Sequence, residues 1–272
     1  MLSVILTAYD EPDVAAVHVR ECMNSSLVPD EIIVVNDHGD PILKQKLIDL
    51  DRNTKVIYAY IQDDIPWNYT GARNLGVWLS RGDLLMIEDT DNIPSKEAYK
   101  DAVKFFEENP DSQRALFGRR VKVEKQDVIS NPVDKWKDVG RRPQHDDTQM
   151  IRRQAYLKAK GYDERFAGKY AWACSDWRRR LQRVGVIAVE RTGNKVISKP
   201  EAITTFFWTV FDAETSSLLR RRSYENYELA SERAHRSLYF KTFRDGEELV
   251  SYNGHKQSPV GILNFSYEFT EL

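Results

Sequence analysis

Residues 84–92, Leu-Leu-Met-Ile-Glu-Asp-Thr-Asp-Asn, decide how the chain is interpreted. The four apolar residues that begin this stretch are typical of a buried strand in a parallel sheet. Asp89 and Asp91 follow at the carboxyl end of the strand, where open α/β sheets bind their ligands. Two carboxylates one residue apart can share a hard divalent cation, although an acidic turn after a strand gives the same pattern.

The segments around this stretch predict a doubly wound α/β fold. Apolar, β-prone segments alternate with helical ones, and polar or acidic residues follow each strand. This alternation predicts a mostly parallel central sheet flanked by helices. The predicted strands are 3–9, 32–35, 56–60, 84–87, 115–123 and 186–189. The predicted helices are 71–79, 94–106 with Ser95 as N-cap, 152–158, 176–184 and 213–239, with a loop at 126–142 and hairpins or a packed tail from 245.

Composition limits the class of protein. The 272 residues suffice for one large domain, or one domain with an appendage, and 41% hydrophobic residues can bury a core. The net charge of −2 gives no reason to expect nucleic-acid binding. The two cysteines have neither metal-site spacing nor the number for a disulfide scaffold. The N-terminus lacks a signal peptide's basic start, and no apolar run approaches the roughly 18 residues of a membrane span. A cytoplasmic location is therefore predicted.

Acidic residues follow three predicted strands, at Asp10-Glu11, Asp37 and Asp89/Asp91. Parallel strands bring these ends to one edge of the sheet, where the crevice suits a metal-bound diphosphate with its base and ribose. Gly71-Ala72-Arg73-Asn74-Leu75-Gly76 opens the preceding helix. Its glycines allow close backbone approach, its N-terminus favours an anion, and Arg73 can pair with phosphate or a base edge. A helix start with an exposed arginine is the alternative.

Five segments in this order resemble the family 2 glycosyltransferases of the GT-A fold. They are residues 3–11, 31–37, 71–76, 82–91 and 152–185, the last including Gly161-Tyr162-Asp163-Glu164-Arg165-Phe166. The resemblance covers about half of the chain and implies a GT-A, Rossmann-like domain over residues 1–200. Residues 1–95 would form its donor half and residues 96–200 its acceptor half. Residues 201–272 would form a helical or hairpin extension packed on it.

The resemblance implies a nucleotide-diphospho-sugar donor, UDP-linked, with Mn²⁺ or Mg²⁺ as cofactor. Asp37 would accept the imino hydrogen of a uracil. Asp91, with Asp89, would ligate the ion that bridges the diphosphate and neutralises charge on the departing group. The family often adds a histidine ligand after the last core strand, but residues 204–208 contain none. The implied nucleotide-sugar residues are Thr7, Ala8, Tyr9, Glu11, Asn36, Asp37, Gly71, Arg73, Asn74, Asp89 and Thr90.

The position of the general base stays open. Inverting members of the family carry an acidic pair after the G-x-D-E segment, and one of the pair takes the proton from the acceptor hydroxyl. Without a gap, this pair falls on Ala173-Cys174, and Asp176 matches a following acid. With a two-residue gap, the pair falls on Ser175-Asp176, and Asp176 becomes the base.

Two further interpretations of the base remain. The base can come from another acidic segment, for which Asp163, Glu164 and the cluster 145–147 are the candidates. Alternatively, the chain has lost inverting chemistry and binds a nucleotide sugar with weak or no transfer.

The implied activity is transfer of a sugar to a hydroxyl of a glycan, a glycolipid or a similar acceptor, with inversion where a base is present. No nucleic-acid partner and no transmembrane segment are expected, and peripheral contact with the inner face of a membrane is compatible with the sequence. A non-catalytic nucleotide-sugar-binding scaffold is the alternative, motivated by Ala173-Cys174. A sugar nucleotidyltransferase is disfavoured, because Tyr9-Asp10-Glu11-Pro12 replaces the Gly-rich basic loop that such an enzyme needs.

Overall fold

A computed structural model describes residues 1–142, 148–167, 173–187, 190–192, 195–197, 202–212 and 265–272. The predicted cluster 145–147, the predicted helix 213–239 and residues 245–264 of the predicted tail lie outside these ranges.

The first part of the chain forms four parallel strands in the order β3-β2-β1-β4, which confirms the predicted α/β pattern. These strands are β1 (Leu2–Ala8), β2 (Glu31–Asn36), β3 (Lys55–Ile61) and β4 (Leu84–Asp89). The helices between them are α1 (Pro12–Met23), α2 (Ile42–Ile48) and α3 (Tyr69–Leu79). Pro12 occupies the start of α1, where the missing N–H of proline has no intrahelical partner to lose.

The rest of the described chain extends this sheet on both sides. The further strands are β5 (Asn92–Pro94), β6 (Arg114–Glu124), β7 (Arg141–Arg142), β8 (Gln149–Arg152), β9 (Glu190–Thr192), β10 (Lys195–Ile197), β11 (Ala202–Phe211) and β12 (Tyr267–Glu271). The helices are α4 (Ala98–Glu108), α5 (Lys125–Ser130), α6 (Arg153–Lys158) and α7 (Ala173–Arg183), with 3₁₀ turns at Val133–Lys135 and Glu164–Phe166. Within the described residues, ten strands form one sheet in the order β12-β3-β2-β1-β4-β8-β6-β11-β5, with β7 on β6, while β9 and β10 pair separately.

Some element boundaries differ from the sequence predictions. The helix expected from residue 94 begins at Ala98, because residues 92–94 pair with β11 as a short antiparallel strand. The segment 126–142 contains α5, a 3₁₀ turn and β7, which are too short to show a periodic pattern. Val186 and Ile187 are outside any strand. Both β11 and β12 come from the predicted extension 201–272 and are strands of the main sheet. The division of the chain at residue 200 stays a prediction.

The two faces of the sheet are covered by different helices. Met86 of β4 belongs to the core cluster that includes α1 and α4, whereas Ile87 belongs to the cluster with α6 and α7. Because side chains alternate along a strand, Glu88 points toward the first of these faces and Asp89 toward the second. The last two residues of β4 therefore face opposite layers of helices.

We expect Gly76→Ala to destabilise the fold. A Cβ at Gly76 in α3 would lie 2.4 Å from Cγ2 of Ile5 in β1. At an exposed helix position the same change stabilises by about 1 kcal/mol, whereas here we expect a loss of about 1–3 kcal/mol from overpacking. Urea unfolding of the variant and of Lys104→Ala, on the exposed face of α4, checks this expectation. A Gly76→Ala protein as stable as the wild type would contradict it.

Candidate functional site

The predicted donor residues meet at the carboxyl edge of the central strands. Thr7 of β1 is paired in register with Asp89 of β4, and Ala8 is paired with Asn36 of β2. Asp37 follows β2 directly, and its backbone N–H donates to the carbonyl of Ala8 at 2.8 Å. The strand ends that the sequence singled out are thus neighbours across the sheet.

Tight backbone turns follow β1, β2 and β3 at this edge. Asp10, His38 and Trp67 have φ values of 48°, 59° and 54°, in the left-handed region that non-glycine residues rarely adopt. A Cβ at Gly39 would come within 2.7 Å of the backbone N of Asp10, so the loops after β1 and β2 touch each other. Strained backbone of this kind is concentrated at ligand sites, where the surrounding structure enforces it.

Asp37 is buried at the centre of this edge. Its Oδ1 accepts a hydrogen bond from Nδ2 of Asn68 at 3.2 Å. Burial raises the pKa of Asp37 from 3.8 to about 7, although the Asn68 hydrogen bond opposes the shift. A carboxyl with this pKa changes charge near neutral pH, as is common for groups at functional sites.

Asn36 and Tyr9 have different positions from Asp37. Asn36 is buried and organises the loop after β2, with Nδ2 donating to Tyr58 Oη and to the Asp40 carbonyl and Oδ1 accepting from the Gly39 N–H. Tyr9 is exposed, and the charge of Asp10 is the main cause that raises its pKa. Tyr9 is therefore accessible at the edge, whereas Asn36 acts on the loop.

Arg73 is a buried cation, in contrast to the exposed arginine that a plain helix start would give. It is 1% exposed, and its Nη2 lies 2.5 Å from Oδ1 of Asp89. Its guanidinium also lies over the rings of Tyr69 and Tyr162, at 4.8 Å and 5.0 Å from their centres. Arg73 thereby fixes the Asp89 carboxylate from below the edge.

The glycines of the α3 segment have a packing role in the structure. A Cβ at Gly71 would meet Oδ1 of Asn68 at 2.4 Å and Cε1 of Phe265 at 2.5 Å. Asn74 is fully buried and donates from Nδ2 to the Tyr162 carbonyl and to Oε1 of Glu164, at 2.9 Å and 2.7 Å. Asn74 therefore joins the donor side to the G-x-D-E segment.

The acidic motif at the end of β4 is held by hydrogen bonds to β1, to β11 and to the adjacent Asn92. The Thr90 hydroxyl donates to the Thr7 carbonyl at 2.6 Å. Oδ1 of Asp91 accepts from Nδ2 of Asn92 at 2.8 Å, and the Asp91 carbonyl accepts from the Val210 N–H at 2.7 Å. Asp91 itself is exposed, and the side chain of Asp89 is 30% exposed.

These two carboxylates fit a hard divalent ion. They offer only oxygen ligands at an accessible edge, and Mg²⁺ is commonly held by one or two carboxylates together with substrate phosphates. Glu11, predicted as a nucleotide-sugar residue, is paired: Nζ of Lys125 lies 2.8 Å from its carboxylate, and Asp212 lies 3.9 Å from the same Nζ.

The acids on the predicted acceptor side fall into two groups. Asp163 and Asp176 are 4% and 1% exposed, and both lie 2.8 Å from nitrogens of Arg180. Glu164 is partly exposed and receives the Asn74 hydrogen bond. Cys174, near the start of α7, contacts the hydroxyl of Tyr69 at 3.7 Å. Of the three acids, Glu164 is the one that is partly exposed.

A buried polar cluster behind the motif was missed from the sequence. His18 of α1 contacts both Glu88 and the Thr90 carbonyl, and Tyr99 of α4 also contacts Glu88. The one available signal was the acid Glu88 in a strand otherwise apolar, since a buried carboxylate requires a partner. Nothing in the local pattern named His18 as that partner.

Comparison with known protein families places the chain in one of them. The family described as "Glycosyl transferase family 2" matches residues 3–228, and the chain belongs to this family. Comparison with curated protein sequences gives no significant match.

Several solved structures share the fold. TarS 1-349 of S. aureus is 14% identical with a TM-score of 0.56, over 82% of this chain and 64% of that one. The same protein in complex with UDP-GlcNAc is 13% identical with a TM-score of 0.53, over 78% of this chain and 58% of that one. The mannosyltransferase PcManGT from Pyrobaculum calidifontis, in complex with GDP-Man and Mn²⁺, is 13% identical with a TM-score of 0.55. The match covers 90% of this chain and 65% of that one. The chain thus spans less than two thirds of each of these structures.

Among the helices of the described ranges, none is long and apolar enough to cross a membrane.

We expect the free energy of unfolding to depend on pH through the titration of Asp37. Because its pKa is raised to about 7 in the folded state, the folded protein keeps this proton up to that pH while the unfolded chain releases it near pH 4. The free energy of unfolding therefore falls as pH rises through this window. Asp37→Asn cannot titrate. Its free energy of unfolding relative to that of the wild type should therefore rise by about 2.5 kcal/mol between pH 5 and pH 8. Urea unfolding at both pH values measures this difference, and parallel pH profiles would contradict it.

Proposed function

We propose that the protein is a metal-dependent glycosyltransferase that moves a sugar from a UDP-linked nucleotide-diphospho-sugar to a hydroxyl acceptor. The observation that carries the proposal is the exposed Asp91 beside an Asp89 that Arg73 holds in place, at the same sheet edge as Asp37. The solved complexes of the structural neighbours contain UDP-GlcNAc in one case and GDP-Man with Mn²⁺ in another, which supports this class of donor.

Each element of the proposed donor site has a separate task. Asp91, assisted by Asp89, would hold Mn²⁺ or Mg²⁺. When bound, such an ion neutralises the negative charge on the diphosphate leaving group. Arg73 orients Asp89, because Nη2 of its guanidinium lies 2.5 Å from Oδ1 of the Asp89 carboxylate. Thr7, Tyr9 and Asp37 border the space for the base.

The proposed transfer is a single displacement with inversion. A carboxylate takes the proton of the acceptor hydroxyl, the hydroxyl oxygen bonds to the anomeric carbon, and the bond from that carbon to the diphosphate oxygen breaks. We assign the carboxylate to Glu164. Asp163 and Asp176 are less suited, because both are buried against Arg180.

A second candidate function is nucleotide-sugar binding without efficient transfer. It is favoured by Ala173 and Cys174, which begin α7 where the family's acidic pair is expected, and by the burial of Asp176.

The acceptor in the first proposal is a glycan, a glycolipid or a similar hydroxyl compound. No disulfide joins Cys22 and Cys174, which is compatible with the proposed cytoplasmic location.

We expect Asp91→Asn to lower the rate of nucleoside diphosphate release by about 100-fold or more, because the amide cannot neutralise a divalent ion. A panel of UDP- and GDP-sugars with Mn²⁺, with and without EDTA, measures the release. Asp111→Asn is the matched control, since Asp111 is exposed and directly precedes the segment leading into β6, at the opposite edge of the sheet. Equal release by wild type and Asp91→Asn would overturn the metal assignment.

We expect Glu164→Gln and Asp176→Asn to separate the roles of the acids. Glu164→Gln should slow transfer at least about 100-fold while donor binding persists, because the base is lost. Asp176→Asn should lower the free energy of unfolding by about 3 kcal/mol, because it breaks a buried ion pair with Arg180. The folded Asp176→Asn protein should retain transfer.

The opposite pattern, with transfer lost in Asp176→Asn and retained in Glu164→Gln, would make Asp176 the base. Donor binding by the wild type without release from any donor in the panel would favour the second candidate function.

A further inference from the structure

The buried cluster behind the acidic motif forms one continuous chain of hydrogen bonds. Nε2 of His18 lies 2.6 Å from Oε2 of Glu88, and the Tyr99 hydroxyl donates to the same oxygen at 3.1 Å. Sγ of Cys22 lies 2.9 Å from the Tyr99 hydroxyl. All four side chains are buried, and His18 and Glu88 are 0% exposed. The chain links α1 and α4 to the end of β4.

His18 connects this chain to the backbone of the motif. Its Nδ1 lies 3.2 Å from the carbonyl oxygen of Thr90. A carbonyl oxygen can only accept, so Nδ1 must carry the hydrogen. The remaining proton is shared between Nε2 of His18 and Oε2 of Glu88, whichever of the two formally holds it. The ring is therefore fixed in one orientation at both nitrogens.

The outer members of the chain keep their protons. Burial raises the pKa of the Cys22 thiol and of the Tyr99 phenol well above their ordinary values. Tyr99 therefore remains a donor to Glu88, and its own oxygen can accept the Cys22 S–H. Among the described residues, Oε1 of Glu88 has no hydrogen-bond partner, so His18 and Tyr99 supply its hydrogen bonds through Oε2.

The cluster is unsuited to a metal ion even though His18, Cys22 and Glu88 bring three ligand types together. Two ligands of a tetrahedral ion with bonds of about 2 Å lie roughly 3.3 Å apart, whereas Nε2 and Oε2 are 2.6 Å apart. That distance is a hydrogen bond with a proton between the atoms, and a metal site requires those ligands deprotonated.

We propose that His18 is a positioning residue that fixes the peptide between Thr90 and Asp91. It does so through Nδ1, while Glu88 holds the other side of its ring. The inference rests on the proposed metal-dependent donor site, because Asp91 is its metal residue. Asp91 is exposed and its side chain accepts a hydrogen bond from the adjacent Asn92, so the backbone that carries both residues helps to set its position. Contacts that orient a metal-binding group commonly change metal affinity by about 10–100-fold when they are removed.

Two substitutions of His18 divide its two contacts. The amide nitrogen of His18→Asn falls near the place of Nδ1 and can still donate to Thr90. The amide of His18→Gln falls near the place of Nε2, where it reaches Glu88 and leaves the Thr90 carbonyl without this donor. Val19→Ala is the matched control, since Val19 is the next residue of α1 and is also 0% exposed.

The readout is the affinity for Mn²⁺, measured from the paramagnetic resonance signal of unbound Mn²⁺. Protein is titrated into Mn²⁺ in the presence of UDP and, in a parallel series, in the presence of GDP. We expect the dissociation constant of Mn²⁺ to rise about 10-fold or more in His18→Gln and to stay within about 3-fold of the wild type in His18→Asn. Val19→Ala should lower the urea midpoint and leave Mn²⁺ affinity unchanged.

The outcomes separate this inference from the proposed function. Failure of the wild type to bind Mn²⁺ with either nucleotide, or full binding by Asp91→Asn, would overturn the metal site and the role of His18 together. Binding that requires Asp91 but is equal in His18→Gln, His18→Asn and wild type would overturn only the positioning role.

A second pair of variants applies if a His18 variant does not fold. The amide of Glu88→Gln can donate to Nε2 of His18, which keeps the hydrogen on Nδ1 and the contact with Thr90. Glu88→Leu removes that partner at similar volume. Mn²⁺ affinity retained in Glu88→Gln and weakened about 10-fold in Glu88→Leu supports the role of His18. Equal affinities in the two variants would overturn it.

Discussion

Two adjacent carboxylates at the end of β4 face opposite layers of helices, and each is held by a basic side chain from its own layer. Glu88 contacts His18 of α1, and Asp89 contacts Arg73 of α3. Burying a charge is costly unless it is paired and hydrogen-bonded, and Glu88 and Arg73 are both buried, so both helices must lie where these pairs form at the strand end. The requirement ties the two helical layers to one point of the sheet.

The topology of the chain meets this requirement. The strands β1, β2 and β3 advance in one direction across the sheet, and the chain then returns past them to place β4 on the other side of β1. Right-handed crossovers in opposite directions put α1 and α3 on opposite faces. The same reversal lies at the carboxyl ends of β1 and β4, where Thr7 pairs with Asp89, and open α/β sheets bind their ligands at such a point. One topological feature thus provides both this edge and the two-sided support of its acids.

The sequence predicted the acidic edge of the sheet better than the supports beneath it. Asp37, Asp89 and Asp91 could be placed because they lie at or just after the ends of apolar strands, and parallel strands share an edge. The burial of Arg73 was not predicted, since it depends partly on the ring of Tyr162, which is distant from Arg73 in the chain. His18 was missed for the same reason. Its partner is 70 residues away, and a histidine within a helical pattern carries no local sign of that contact.

The same physical distinction bears on the acceptor side. Asp163 and Asp176 follow the family pattern, but both are buried against Arg180, an arrangement that holds α7 to the G-x-D-E segment. Glu164 is the next residue after Asp163, yet it lies partly exposed and is oriented by Asn74 of α3. A group that takes a proton from an acceptor must be reachable by that acceptor. Asp163 and Asp176 therefore serve the packing of α7, whereas the role proposed for Glu164 rests on its partial exposure and its contact with Asn74.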